Sequence, residues 1–189
     1  MKYLVPAMQT YISILRGINV SGQKKIQMTD LKMLYEDLKF KNVTTYIQSG
    51  NIIFEANKQR DEALAKKIEN AINEKYHFHV PVIIRSIEEM KNTLVVNPLL
   101  KEPNVVIEKL HVTFLEELPD KAKVDNIKDI DYSPDKFIII GKEIFLYCPN
   151  GYGITKLSNN FFENKLKVNA TTRNWKTVNK LVEMADNLL

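Results

Sequence analysis

Apolar residues recur along the chain with two periods, and the switches between them predict the order of its elements. Over Tyr11–Arg16 they alternate, with Ile12 and Ile14 on one side and Tyr11, Ser13 and Leu15 on the other, which predicts a strand. A polar loop, Gly17–Gln27, follows. Leu31, Leu34, Tyr35 and Leu38 then fall on one helical stripe. Thr29 is its predicted N-cap, Asp30 suits the positive end of the dipole, and Met28 is placed to staple onto Met33. Val43–Gln48 and Ile52–Glu55 read as strands split by the turn Ser49-Gly50-Asn51. Leu64, Ile68 and Ile72 mark a second amphipathic helix, and Val80–Arg85 a further strand. Pro81 in that strand predicts a sheet edge, because proline cannot donate to a ladder. Ser86 and Glu89 form a capping-box pattern for a short helix ending before Asn97-Pro98.

This order is β-α-β-β-α-β, the ferredoxin-like arrangement. The second half starts in the same way. Leu110–Glu116 predicts a strand, Lys121–Ile127 a helix, and Phe137–Ile140 with Glu143–Tyr147 a hairpin closed by Gly141-Lys142. Gly153–Lys165 reads as helical. No fourth strand is evident, and a helix bearing Trp175, Val178, Leu181, Val182 and Ala185 on one stripe closes the chain. The fold class is therefore α+β, two ferredoxin-like modules with antiparallel sheets and helices on one face. The second is a divergent βαββα with a C-terminal helix. The expected domains are 1–96 and 110–189, joined by a linker over 97–109.

Composition narrows the function classes without naming one. The 189 residues are 44% hydrophobic and 26% charged, an ordinary globular mixture. The apolar runs are strand-sized, far short of a membrane helix, and Met1–Met8 is too short for a secretory signal. Cys148 is the one cysteine, which excludes an internal disulfide and any CxxC motif. These bounds predict a cytoplasmic protein with no membrane partner. The formal charge is +4, unevenly spread: residues 1–95 carry 14 basic and 10 acidic side chains, residues 101–149 carry 7 and 10, and residues 150–189 carry 6 and 3. An anionic partner suits that balance, but it is much weaker than the basic stripe of a dedicated nucleic-acid binder.

Four ordered stretches carry a resemblance. They are Leu15-Arg16-Gly17-Ile18-Asn19-Val20, Tyr46-Ile47-Gln48-Ser49-Gly50-Asn51, Lys156-Leu157 after Gly151-Tyr152-Gly153, and Thr171-Thr172-Arg173-Asn174-Trp175-Lys176-Thr177-Val178. Together they resemble the domain-of-unknown-function family 1697, found mostly in bacteria, over nearly the whole chain from Tyr11. Ile154-Thr155 stands where an arginine–serine pair is common in that family, and residues 1–10 read as an addition before the usual start. The resemblance implies a kind of protein and no reaction, catalytic residue or cofactor.

The predicted topology gathers part of these motifs. The first two strands run parallel, so Arg16, Gly17, Asn19, Lys24, Gln48, Ser49 and Asn51 are expected at one rim, rich in amides and cations and free of carboxylates. Lys156, Arg173, Asn174 and Trp175 complete the candidate ligand-binding set, with Arg173 expected in the first turn of the last helix, against its dipole. An anionic small molecule or nucleotide fits this chemistry best. An RNA or single-strand binder is a second reading, though only Tyr46 and Phe54 offer aromatics on the relevant strands. An enzyme acting on a phosphorylated or carboxylated substrate is a third, and it lacks an identifiable base. Gly17, Gly22, Gln23 and Lys24 only half match a phosphate loop, since Gln23 occupies its lysine position. His77 and His79 alternate without a third metal ligand at a recognised spacing, and Cys148 has no base placed beside it.

Overall fold

The computed structural model describes residues 7–188. The chain divides into two compact units, residues up to Met90 together with Leu181 onward, and Lys91–Lys180. The predicted addition at residues 1–10 lies outside the described residues as far as residue 6; Met8, Gln9 and Thr10 belong to the first strand and pair with Asn57, Ala56 and Glu55.

The first unit holds β1 (Met8–Leu15), α1 (Met28–Asp37), β2 (Lys41–Tyr46), β3 (Asn51–Asn57), α2 (Asp61–Tyr76) and β4 (Val82–Ser86), followed by α3 (Ile87–Val96), which crosses the unit boundary. Its antiparallel sheet has the order β2-β3-β1-β4. β4 is thus an edge, as Pro81 predicts. One face of the sheet, with Tyr11, Leu15, Ile52, Phe54, Ala56, Val82 and Ile84, packs on Leu31, Leu34 and Tyr35 of α1 and Leu64, Ala65, Ile68 and Ile72 of α2. Ser13 on that face meets the Tyr35 hydroxyl at 2.8 Å, and burial pushes the Tyr35 phenol far above its ordinary range. Residues of the alternate parity, Ile12, Ile14, Asn51, Ile53, Ile83 and Arg85, are buried as well. Ser86 and Glu89 make the predicted capping box: Ser86 N donates to Glu89 Oε2 at 2.9 Å, and Glu89 N donates to Ser86 Oγ at 3.3 Å.

α1 departs from expectation at its start. Gln27 is the cap residue, without a side-chain bond, and Thr29 lies exposed inside the helix. Met28 packs against the core and Met33 is half exposed.

The second unit repeats the plan with β5 (Leu110–Leu115), α4 (Lys121–Asp125), β6 (Lys136–Ile140), β7 (Glu143–Tyr147), α5 (Asn159–Leu166), β8 (Ala170–Asn174) and the start of α6 (Trp175–Asp186). Its sheet order, β6-β7-β5-β8, is that of the first unit. Residues 97–109 hold two 3-10 turns, Pro98–Lys101 and Ile107–Lys109. The β6–β7 hairpin closes through Gly141-Lys142 as predicted, with Gly141 at φ +60°. Two sequence readings need correction. Gly153–Lys165 is not one helix: a 3-10 turn at Tyr152–Ile154 gives way to a loop, and α5 begins only after Ser158, whose Oγ accepts from Phe161 N. The fourth strand is present as β8, so the second module is a complete βαββαβ followed by α6, and Arg173 lies in a strand.

Registers align the repeats residue by residue. Tyr11 of β1 pairs with Ser86 and Ile12 with Arg85, as His111 of β5 pairs with Asn174 and Val112 with Arg173. Ser86 and Asn174 each then cap the following helix, accepting from Glu89 N and Thr177 N.

Candidate functional site

The rim of the first unit is built where β1 ends. Leu15 N donates to Gly50 O at 2.8 Å and Arg16 N to Pro81 O at 2.9 Å, tying the end of β1 to the β2–β3 turn and to the approach to β4. The loop from Arg16 to Gln27 is then folded by Asn19. Its backbone sits at φ +55°, a left-handed conformation that asparagine tolerates. Its Nδ2 donates to Ile26 O and Gln48 O, both at 2.9 Å, and its Oδ1 accepts from Ile26 N at 2.9 Å. One amide thus closes the loop on itself and joins it to the β2–β3 turn. Val20 and Gln23 bridge across Ser21 and Gly22, which both have positive φ, so the loop tip is a small type I′ hairpin. Lys24 Nζ donates to His79 O at 2.7 Å. Buried Asn51 donates through Nδ2 to Tyr46 O at 3.1 Å and Ser49 Oγ at 3.0 Å, closing the hairpin.

The structure therefore brings Arg16, Gly17, Asn19, Lys24, Gln48, Ser49 and Asn51 to one end of the sheet. It also divides their work. Asn19, Asn51 and Lys24 hold backbone, while Gln48 and Lys25 are exposed and Arg16 and Ser49 are half-buried. Residues 15–27 and 44–51 contain no carboxylate. Glu69 of α2 also reaches this end of the sheet, where its Oε1 accepts from Val82 N at 2.8 Å.

Lys156, Arg173, Asn174 and Trp175 belong to the second unit. Lys156 is exposed beside a cavity of about 410 Å³ that Asp131 and Asp135 also line. Arg173 is buried, and its Nη1 donates to Thr171 Oγ1 and Thr172 O, each at 2.9 Å. It lies in β8, ahead of the cap residue Asn174, and not in the first turn of α6 where the sequence places it. Trp175 is a buried first helical residue.

Arg85 is the residue that sequence reasoning missed. It stands at the position equivalent to Arg173, is 1% exposed, and donates from Nη1 to Ile84 O at 2.9 Å as Arg173 does to Thr172 O. The signal was present in the pairs Arg85-Ser86 and Arg173-Asn174, an arginine followed by a capping residue at each strand-to-helix junction.

The Gly151-Tyr152-Gly153 motif is fixed by a hydroxyl network in the second unit. Thr172 Oγ1 donates to Asn159 Oδ1 at 2.6 Å and lies within bonding distance of the Tyr152 hydroxyl, at 2.9 Å, and of Thr113 Oγ1, at 2.6 Å. One hydroxyl has one proton, so Tyr152 and Thr113 are the donors to it. The Tyr152 ring stacks on His111 at 4.9 Å between centroids. Burial pushes the His111 pKa below its usual value near 6.5, outweighing the bond of its Nδ1 to Lys109 O. The unfolded chain therefore takes up a proton at His111 before the folded chain does. Stability falls as pH drops through the range just below 6.5. Melting temperatures followed from about pH 8 to about pH 5 should show this loss, and His111→Gln should reduce its slope. An unchanged slope in the variant would count against it. Cys148 is buried, and burial followed by the charge of Asp135 pushes its thiol up to about 11, which keeps it protonated and unreactive at neutral pH.

Residues 8–145 match the family described as "Protein of unknown function (DUF1697)", and the chain belongs to that family. Among solved structures it is similar to the conserved bacterial protein SP0830 from Streptococcus pneumoniae, with 25% sequence identity and a TM-score of 0.76 over 95% of this chain and 99% of that one. No curated protein matches the sequence. Among the described residues, no helix is long and apolar enough to cross a membrane.

Proposed function

We propose that the protein binds a small anionic molecule, a nucleotide or another phosphate- or carboxylate-bearing metabolite, at the rim of its first unit. The observation that carries this reading is the internal repeat. The β2–β3 turn spans residues 47–50, whereas the equivalent β6–β7 hairpin closes with Gly141-Lys142 alone. The loop after β1 spans residues 16–27, and its counterpart after β5 only 116–120. The second unit does without either extension, and both bring cations and amides to the same edge while contributing no carboxylate of their own. In this reading Arg16 is the cation that meets the anion, and the exposed Lys25 and Gln48 are further donors.

Thermal shift against nucleotides, sugar phosphates and carboxylates tests the proposal. Arg16→Ala should weaken the anion that stabilises the wild type by about 1.5–3 kcal/mol, roughly 10- to 150-fold, as expected for charge-assisted hydrogen bonds. The absence of any stabilising anion would overturn the proposal. The RNA reading has less support, because Phe54 is fully buried in the core and leaves Tyr46 alone among its two aromatics.

A further inference from the structure

The duplicated fold offers its own control for the exposed edges of its sheets. β2 and β6 are equivalent edge strands. Thr44 pairs with Ile53 as Ile138 pairs with Phe145, so Thr44-Thr45-Tyr46 corresponds to Ile138-Ile139-Ile140. β2 carries the usual protections of an edge: polar side chains, a register irregularity between Lys41 and Thr44, and Asn42 at φ +49°. β6 has no irregularity and no left-handed residue, and Lys136 is its one polar side chain. Its register runs unbroken from Lys136 to Ile140, its middle residues are half-buried, and Ile140 is 40% exposed. Its one charged residue, Lys136, stands at the strand's start and is paired with Glu102, which leaves Phe137–Ile140 uncharged. At the other edge of the same sheet, β8 is buried at Ala170, Thr171 and Arg173.

We propose that β6 is a self-association edge, pairing antiparallel with β6 of a second copy about a two-fold axis at Ile138. The strand's own sequence argues for a second copy as the occupant. In that register Phe137 faces Ile139 of the partner and Ile138 faces itself, pairs of aromatic and β-branched residues that favour cross-strand packing. Lys136 faces Ile140, so the two lysines lie at opposite ends, whereas parallel pairing would set them side by side. Such an interface is isologous and closes after two copies.

Sedimentation velocity on the full chain over a concentration series up to the millimolar range tests this. The wild type should dimerise, and Ile138→Lys should weaken the dimer at least about tenfold while preserving circular dichroism and melting temperature. Thr44→Lys, at the equivalent position of the first unit, should leave dimerisation unchanged. Should Ile138→Lys fail to fold, Ile140→Lys takes its place, since that side chain is already exposed. A wild type that stays monomeric throughout would overturn the proposal, as would a dimer that the folded β6 variants leave intact.

Discussion

Replacing Gly50 by alanine should destabilise the protein by about 2–4 kcal/mol in urea unfolding. Gly50 sits at φ +78°, where an L side chain is strained. A Cβ there would also lie 2.7 Å from Ile18 Cδ1 and 2.8 Å from Leu15 Cβ. Ile18 and Leu15 are both buried, at 1% and 0% exposure, so neither can move away at low cost. The Gly50 carbonyl meanwhile holds Leu15 N, so the turn cannot retreat without breaking the tie between β1 and the hairpin. A loss within about 0.5 kcal/mol, the range of an ordinary surface substitution, would show that the close approach is not real.

Asn19→Ala should cost about 2–4 kcal/mol and remove the proposed anion binding at the same time. The substitution leaves Ile26 N, Ile26 O and Gln48 O without the side-chain partners they have now, and it puts alanine at φ +55°. Binding is lost with stability because the same amide holds the loop of Arg16 against the turn of Gln48. Asn19→Asp separates the two contributions. It retains the acceptor for Ile26 N and tolerates the left-handed backbone, but it loses both donated bonds and adds a carboxylate to the rim. Its stability should fall between wild type and Asn19→Ala, with binding lost as fully. Calorimetry with whichever anion stabilises the wild type checks the binding, and urea unfolding checks the stability.

The first unit was legible in the sequence because its core strands alternate strongly and its helices carry clean stripes. Parallelism of the first two strands then sufficed to bring Arg16 and Gln48 to one end. The role of Asn19 was not legible, since it depends on a left-handed backbone that no spacing reveals. β8 was missed for a related reason. Thr171-Thr172-Arg173-Asn174 has no apolar alternation; its residues are placed by hydrogen bonds, Thr172 in the hydroxyl network and Arg173 on Thr171 and Thr172. Periodicity tests respond to buried carbon, and this strand buries polar groups. α5 starts later than the sequence predicts because Ser158, whose side chain accepts from Phe161 N, caps the helix. Arg85 went unremarked because a lone arginine within an Ile-rich strand reads as an outward-facing charge until the repeat supplies its counterpart, Arg173.

Membership of the first unit runs from one end of the chain to the other. Residues up to Met90 are completed by the stretch from Leu181, which contributes the buried Leu181, Val182 and Ala185. On a ribosome the intervening segment, Lys91–Lys180, takes on the order of 5–20 s to make at typical elongation rates. During that interval the nascent N-terminal sheet has emerged without its last apolar contribution, while all of the second unit's residues come out before it is supplied. The last apolar residues of the first unit therefore leave the ribosome after every residue of the second.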